Sequence, residues 1–223
     1  MSTAIAPPVA APPQRFVWRS LGWAGYEALL AIAEDHPQIR LNYDRGDVEI
    51  MTLQNRHERP KKRAGFAIEV LSDELEIPSF ATGSATYRRR DVGRGLEADE
   101  SYYLVDQPST LADKYVDLNV DRPPDLVVEV GITSSTLDKL GIYAALGFPE
   151  IWRWEAGEIH VLILGLDGRY ATSAESGVFP WLPMAEINRF TRDPQGDDTL
   201  WRREFRAWVR AVVLPLYQAW PGA

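Results

Sequence analysis

The chain has 223 residues, a formal net charge of -8 at pH 7 and no cysteine. That length suits one domain, with or without appendages. The lack of cysteine excludes disulfides, thiolate zinc sites and cysteine nucleophiles, and it fits a cytoplasmic protein. The acidic balance argues against a protein that coats DNA without specificity, because such proteins usually carry a basic excess. No apolar run approaches the ~20 residues of a membrane span.

The first residues differ in composition from the rest of the chain. Residues 1–14 are rich in alanine and proline. They have almost nothing to bury, so we expect a disordered tail rather than a signal peptide. Residues 15–223 contain no linker and no repeat, and we expect them to form a single domain.

Apolar spacing, turn residues and caps predict a mixed α/β order for this domain. Helices are predicted from a cap at Ser20 to residue 32, from a cap at Asn55 to Pro78, over residues 136–146, which end at Gly147, and over residues 199–217. Strands are predicted over residues 39–43, 48–51, 80–87, 99–105, 126–132, 150–154 and 159–164.

Two of the predicted strands carry a carboxylate where a buried strand normally has none. Glu129 interrupts an otherwise apolar run, and Asp99 stands at the entrance of another. A buried carboxylate is costly unless it is paired, protonated or bound to a metal. For each residue alone, an exposed edge position or a turn position remains an alternative.

Taken together, the two acids indicate a metal site. Two carboxylates about 4 Å apart repel by roughly 4 kcal/mol at an effective dielectric of ~20, so a positive charge must lie between them. Mg²⁺ is held by one or two carboxylates together with water and substrate phosphate oxygens. Such an ion lowers the pKa of its water and neutralises charge on a phosphodiester. We therefore expect Asp99 and Glu129 to come from adjacent strands and to share one cleft.

Two further side chains have both a functional and an ordinary interpretation. Lys139 follows a Ser135–Asp138 capping-box pattern, and it either lies on a solvated helix face or steadies charge in the transition state. Glu49 alternates with Val48 and Ile50, so it is either solvent-exposed or a third metal ligand.

The start of the long predicted helix raises the same question. His57 and Glu58 open it, and a glutamate there ordinarily complements the helix dipole, although it could also face the site.

Basic residues form two local clusters that are either solvated patches or phosphate grips without sequence readout. The clusters comprise Lys61, Lys62 and Arg63, and Arg88, Arg89 and Arg90. No hydrolase elbow or phosphate loop is present, and the three histidines lack the spacing of a metal pair.

Seven motifs in order make the chain resemble a known family. They are YDRGDVEIM at 43–51, HE at 57–58, GLEADESYY at 95–103, PDLVVEV at 124–130, ITSSTLDK at 132–139, IYAALG at 142–147 and EIWR at 150–153. From about residue 15 to residue 208 the chain is similar to the Uma-two family of putative restriction endonucleases, within the PD-(D/E)XK nuclease superfamily.

The resemblance implies a fold and a set of roles. It implies a restriction-endonuclease-like α/β domain, with a mixed, curved sheet flanked by helices and a C-terminal helical extension. Asp99 matches the first motif acid and Glu129 the acid of the Glu-x-Lys element. Gly131 occupies the superfamily's lysine position. The resemblance therefore assigns the role of that lysine to Lys139, on the following helix. Ala98 stands where the family usually has proline before the first acid.

We therefore expect an endonuclease that uses Mg²⁺ or Mn²⁺ to hydrolyse DNA. Asp99 and Glu129 are the expected ligands, with Glu49 as a third, and Lys139 completes the catalytic set. A weakened or inactive relative that binds nucleic acid or protein is the alternative, and an uncharacterised interaction domain is a third possibility. We also expect a homodimer, because the C-terminal helix has a broad apolar face that this chain or another must cover.

Overall fold

The computed structural model describes residues 14–52, 58–104, 115–131, 135–191 and 197–221. Of the predicted N-terminal tail it includes only Gln14, so the predicted disorder lies outside the described residues, as do Asn55 and His57. The five described stretches contain no helix long and apolar enough to cross a membrane.

The described residues alternate between strands and helices. The strands are β1 Arg15–Trp18, β2 Ile39–Asp44, β3 Asp47–Thr52, β4 Phe80–Ala81, β5 Thr86–Arg89, β6 Arg94–Glu97, β7 Glu100–Tyr103, β8 Tyr115–Asp117, β9 Leu126–Val130, β10 Glu150–Glu155, β11 Glu158–Leu164 and β12 Tyr170–Ser173. The α-helices are α1 Gly22–Ala33, α2 Glu58–Leu75, α3 Lys139–Leu146, α4 Met184–Thr191, α5 Asp198–Trp208 and α6 Leu214–Gln218, and a π-helical segment Val209–Val213 joins the last two.

The strands form two mixed sheets. The first has the order β1-β3-β2-β6-β5-β8, and only β5 and β8 run parallel. The second has the order β12-β11-β10-β9-β7-β4, and only β9 and β10 run parallel. The mixed α/β class with a C-terminal helical extension is confirmed, and the strands are divided between two sheets where we expected one.

Helix α3 packs where the two sheets meet. Its residues Ile142 and Tyr143 share a buried apolar cluster with Leu96 of the first sheet and Val127 of the second. Side chains alternate across a strand, so Glu129 lies on the same face of β9 as Val127, towards α3. The fold therefore places this glutamate inside the molecule.

The opposite face of the second sheet carries the larger core. There β9 packs against α2, and the C-terminal helices close the layer with buried Trp201, Phe205 and Trp208. The part of the C-terminal apolar face formed by these three residues is thus covered by the chain itself, whereas Val212 and Leu216 on the same predicted face are exposed. Three further tryptophans, Trp152, Trp154 and Trp181, are buried as well.

Two predicted boundaries are wrong for local reasons. Helix α1 starts at Gly22 with Leu21 at its N-cap position, so Ser20 lies one residue too early to cap it. Ser20 belongs instead to a turn with positive φ, and its N–H donates to Asp47 Oδ1. The predicted strand 80–87 is two strands in different sheets. Gly83, with a φ of +55°, lies in the segment that crosses between them.

The strand β6 was not predicted at all. It begins at Arg94, four residues after the basic cluster of Arg88, Arg89 and Arg90.

Candidate active site

Glu129 is a fully buried carboxylate with two strong partners. Its side chain is 1% exposed. Oε2 accepts a hydrogen bond from Lys139 Nζ at 2.7 Å, and Oε1 accepts one from the Tyr143 hydroxyl. An exposed edge position, the alternative for this residue, is therefore excluded.

Lys139 reaches Glu129 from the first residue of α3. The side chain of Asp138 caps this helix by accepting from the Gly141 N–H at 2.9 Å, and Gly147 ends it in a left-handed conformation. Asp138 is thus structural, as expected, but it is the cap itself and not the second half of a capping box. Lys139 is buried, so the solvated-face alternative is excluded.

Tyr143 is the partner that the sequence did not reveal. It lies four residues after Lys139, and residues at that spacing share one helix face. Both side chains therefore point at Glu129 from α3. The same spacing could have identified Tyr143 once Lys139 was placed.

Asp99 lies at the entrance of the strand that pairs with the strand of Glu129. It directly precedes β7, which pairs with β9, so the predicted adjacency of the two acid-bearing strands is confirmed. Asp99 Oδ2 accepts from the Val130 N–H at 2.8 Å. Oδ1 has no hydrogen-bond partner among the described residues. Asp99 itself is half-buried.

Burial and neighbouring charges set the protonation of the pair. Burial raises the pKa of Glu129 to about 7, although the positive charge of Lys139 opposes the shift. The nearby charge of Asp99 contributes to the same rise in the pKa of Glu129. Burial alone lowers the pKa of Lys139, but Glu129 and Asp99 outweigh it and hold that pKa above its usual value. Lys139 therefore remains a cation.

Glu49 is buried, and both of its carboxylate oxygens accept hydrogen bonds. Its oxygens accept from Asn42 Nδ2, the Ser135 hydroxyl and the Thr136 N–H. The solvent-exposed alternative for Glu49 is therefore excluded, because the segment before α3 covers this face of β3. Burial acts to raise the pKa of Glu49, yet these hydrogen bonds hold it below its usual value.

A second ion pair adjoins the site. Arg40 binds Glu97, and both side chains are largely buried. Burial raises the pKa of Glu97, while Arg40 and then Lys139 lower it. The interacting set thus contains four carboxylates, Glu49, Glu97, Asp99 and Glu129, and only two cations, Arg40 and Lys139.

This surplus of carboxylates fits a divalent cation. Mg²⁺ needs only one or two carboxylates when water and phosphate complete its shell. Within the described stretches Asp99 Oδ1 accepts no hydrogen bond, and Glu129 lies on the next strand. Among the residues the structure describes, no group of three or more acids and histidines is close enough to hold a metal ion. Within that part of the chain, Asp99 and Glu129 are the candidate pair of protein ligands.

Most cations of the two basic clusters already have acidic partners. Lys61 binds Glu100, Arg63 binds Asp198, Arg88 binds Glu27 and Arg89 binds Asp91. Within the described stretches, Lys62 and Arg90 are exposed and make no ion pair. These two have charge to offer a phosphate.

The departures from the superfamily pattern have local explanations. Gly131 has a φ of +75°, a left-handed conformation in which a lysine would be strained. The Ala98 N–H donates to the Ala85 carbonyl at 3.3 Å, and proline has no N–H to make this bond.

Of the other motif residues, Glu58 begins α2, but its side chain, like His57, lies outside what the structure describes.

The comparison with protein families agrees with this geometry. The model of the Uma2 family, described as putative restriction endonuclease, matches residues 23–183. The match covers most of the chain, so the chain belongs to this family, and its α/β architecture fits the restriction-endonuclease-like fold. A comparison with curated proteins finds no match.

Proposed function

We propose that this protein is a Mg²⁺- or Mn²⁺-dependent endonuclease that hydrolyses phosphodiester bonds of DNA. The observation that carries the proposal is the meeting of Asp99, Glu129 and Lys139, from two adjacent strands and one helix, in a buried acidic setting. Membership of the Uma2 family supports nuclease chemistry.

Each of the three residues has a distinct role in this proposal. Asp99 and Glu129 would hold the cation, which supplies an acidified water and neutralises charge on the scissile phosphate. Lys139 stays protonated, so it acts as a charge and hydrogen-bond donor that steadies the transition state and not as a base. Tyr143 and Lys139 together fix the orientation of the Glu129 carboxylate.

Glu129 must be ionised to hold a cation. Its pKa is raised to about 7, so a proton and a metal ion would compete for it near neutral pH. Charge from a bound cation favours the ionised form, as a nearby positive charge does for any carboxylate.

DNA is the proposed substrate, and phosphate contacts would position it without reading its sequence. Lys62 and Arg90 are the cluster residues whose charge is uncompensated within the described chain, so they are the first candidates for these contacts. The homodimer and a cytoplasmic location remain proposals. Two-fold symmetry would place one site on each strand of a duplex.

One observation favours a second function. Glu129 is 1% exposed, and both of its oxygens already accept hydrogen bonds. A non-catalytic relative that binds nucleic acid or protein would need no metal at Glu129, so this closed, charge-paired arrangement would suit it. Metal binding separates the two functions, because only the nuclease requires it.

A plasmid-nicking assay tests the proposal. Supercoiled plasmid is incubated with the protein in Mn²⁺, in Mg²⁺ and in excess chelator, beside the Asp99→Asn variant. The nuclease predicts nicking that requires the metal and falls by at least about 100-fold in the variant. Metal-independent nicking, or equal nicking by the variant, would refute it. A protein that neither nicks nor binds Mn²⁺ would support the non-catalytic alternative.

A further inference from the structure

Glu49 connects two parts of the fold that are remote in sequence. It projects from β3 on the face that also carries its cross-strand neighbour Asn42, whose amide donates to Oε2 at 2.9 Å. From the other side come Ser135 and Thr136, 86 and 87 residues further along the chain. One buried carboxylate thus joins the first sheet to the segment that leads into α3.

Most of the acceptor capacity of this carboxylate is used. A carboxylate offers about four lone-pair sites. Oε2 accepts from the Asn42 amide and from the Ser135 hydroxyl at 2.6 Å. Oε1 accepts from the Thr136 N–H. A metal ion would have to compete with these three donors for Glu49.

Ser135 and Thr136, which Glu49 binds, lie directly before α3 and Lys139. Thr136 is followed by the buried Leu137 and by Asp138, which caps α3. The Lys139 N–H closes the turn by donating to the Leu137 carbonyl at 2.8 Å. Lys139 lies only three positions after Thr136, whose backbone is fixed, so a displacement at Glu49 would be transmitted to the start of the helix.

We propose that Glu49 is a positioning residue and not a metal ligand: it anchors Ser135 and Thr136 so that α3 presents Lys139 to Glu129. This inference concerns the same site, and its effect on cleavage rests on the proposed function. The positioning of Lys139 can be measured without any metal or DNA.

The chain provides a matched control for Glu49. Glu150 is likewise a buried, hydrogen-bonded carboxylate, and its donors are the Trp152 indole, the Ser176 hydroxyl and the N–H groups of Gly177 and Val178. It lies three residues before Arg153, the β10 neighbour of Glu129, and on the opposite face of the sheet. Glu150→Gln therefore removes an equivalent charge and leaves the site alone.

Amine acylation followed by mass spectrometry reads the position of Lys139. The chain has only four lysines, and the exposed Lys62 serves as the internal reference. In the parent protein Lys139 should be protected. Glu49→Gln and Ser135→Ala should each raise its labelling relative to Lys62 by about tenfold, and Glu150→Gln should leave it unchanged. If Lys139 stayed as protected in Glu49→Gln as in the parent, the inference would be overturned.

Mn²⁺ titration by calorimetry adds a second criterion. A positioning role predicts that Glu49→Gln keeps the parent affinity within about threefold, whereas a ligand role predicts a loss of about tenfold or more. The larger loss, shared with Glu129→Gln, would overturn the inference. A parent protein that bound no Mn²⁺ would refute the proposed function alone, and the labelling would still decide the role of Glu49. If Glu49→Gln did not fold, Ser135→Ala, which removes no charge, carries the same test.

Discussion

The Lys139 ammonium lies 2.7 Å from Glu129 Oε2, and both side chains are buried. Removing one member of a buried ion pair leaves an uncompensated charge and typically costs 3–5 kcal/mol. Removal of either side chain alone should therefore lower the free energy of unfolding substantially, whatever the catalytic role of the pair.

Lys139→Met tests this energetic coupling. At pH 8 the variant should lose about 3–5 kcal/mol of unfolding free energy, because Glu129 is then an unpaired buried anion. At pH 5 the loss should be smaller, because Glu129 can take up a proton. Urea denaturation at both pH values measures the difference. A Glu129→Gln, Lys139→Met double variant should recover part of the loss, and equal losses at the two pH values would contradict the account.

The raised pKa of Glu129 predicts a pH dependence of stability in the parent protein. The folded-state pKa of about 7 exceeds the unfolded value of 4.5, so the folded state binds the proton more tightly between them. Stability should therefore fall by about 3 kcal/mol as the pH rises through this interval. Urea midpoints across pH 4 to 8 check this. Glu129→Gln should flatten the dependence, and a parent stability that rose over the same interval would contradict it.

Tyr143→Phe removes only the hydroxyl that donates to Glu129 Oε1. The loss of a hydrogen bond to a buried carboxylate should cost about 1.5–3 kcal/mol at pH 8. It should also raise the pKa of Glu129, because the hydroxyl favours the ionised form. The pH at which Mn²⁺ binding reaches half its maximum should therefore move upward. An unshifted binding profile would show that this hydroxyl does not tune Glu129.

A lysine restored at position 131 should not replace Lys139. Gly131 has left-handed backbone geometry, which costs a non-glycine residue about 1–2 kcal/mol. Lys139→Ala should lose nicking activity, and the further change Gly131→Lys should not recover it. Activity recovered to near the parent level would show that the backbone at residue 131 adapts easily.

The sequence anticipated the parts of the site that follow from local patterns. Glu129 in an apolar strand, Asp99 before a strand and Lys139 at a helix start were each visible in this way, and the structure brings them together. The contacts of Glu49 were not visible. They depend on where residues 135 and 136 pack after folding, which strand alternation alone cannot show.

The fold was anticipated to a similar degree. The hairpin of β2 and β3 and the pair of β10 and β11 follow directly from alternation and turn residues. The separation of residues 80–87 into two sheets depends instead on long-range pairing. Phe80 lies opposite Tyr103 in one sheet, and Thr86 lies opposite Glu97 in the other.

The most direct test of the central claim compares the nicking rates of Glu129→Gln and Glu150→Gln with that of the parent in Mn²⁺. Both variants remove a buried, hydrogen-bonded carboxylate, but only Glu129 belongs to the proposed site. We expect Glu129→Gln to lose at least about 100-fold in rate and Glu150→Gln to stay within about threefold of the parent. Equal rates for Glu129→Gln and the parent, with both proteins folded, would contradict the assignment of the active site.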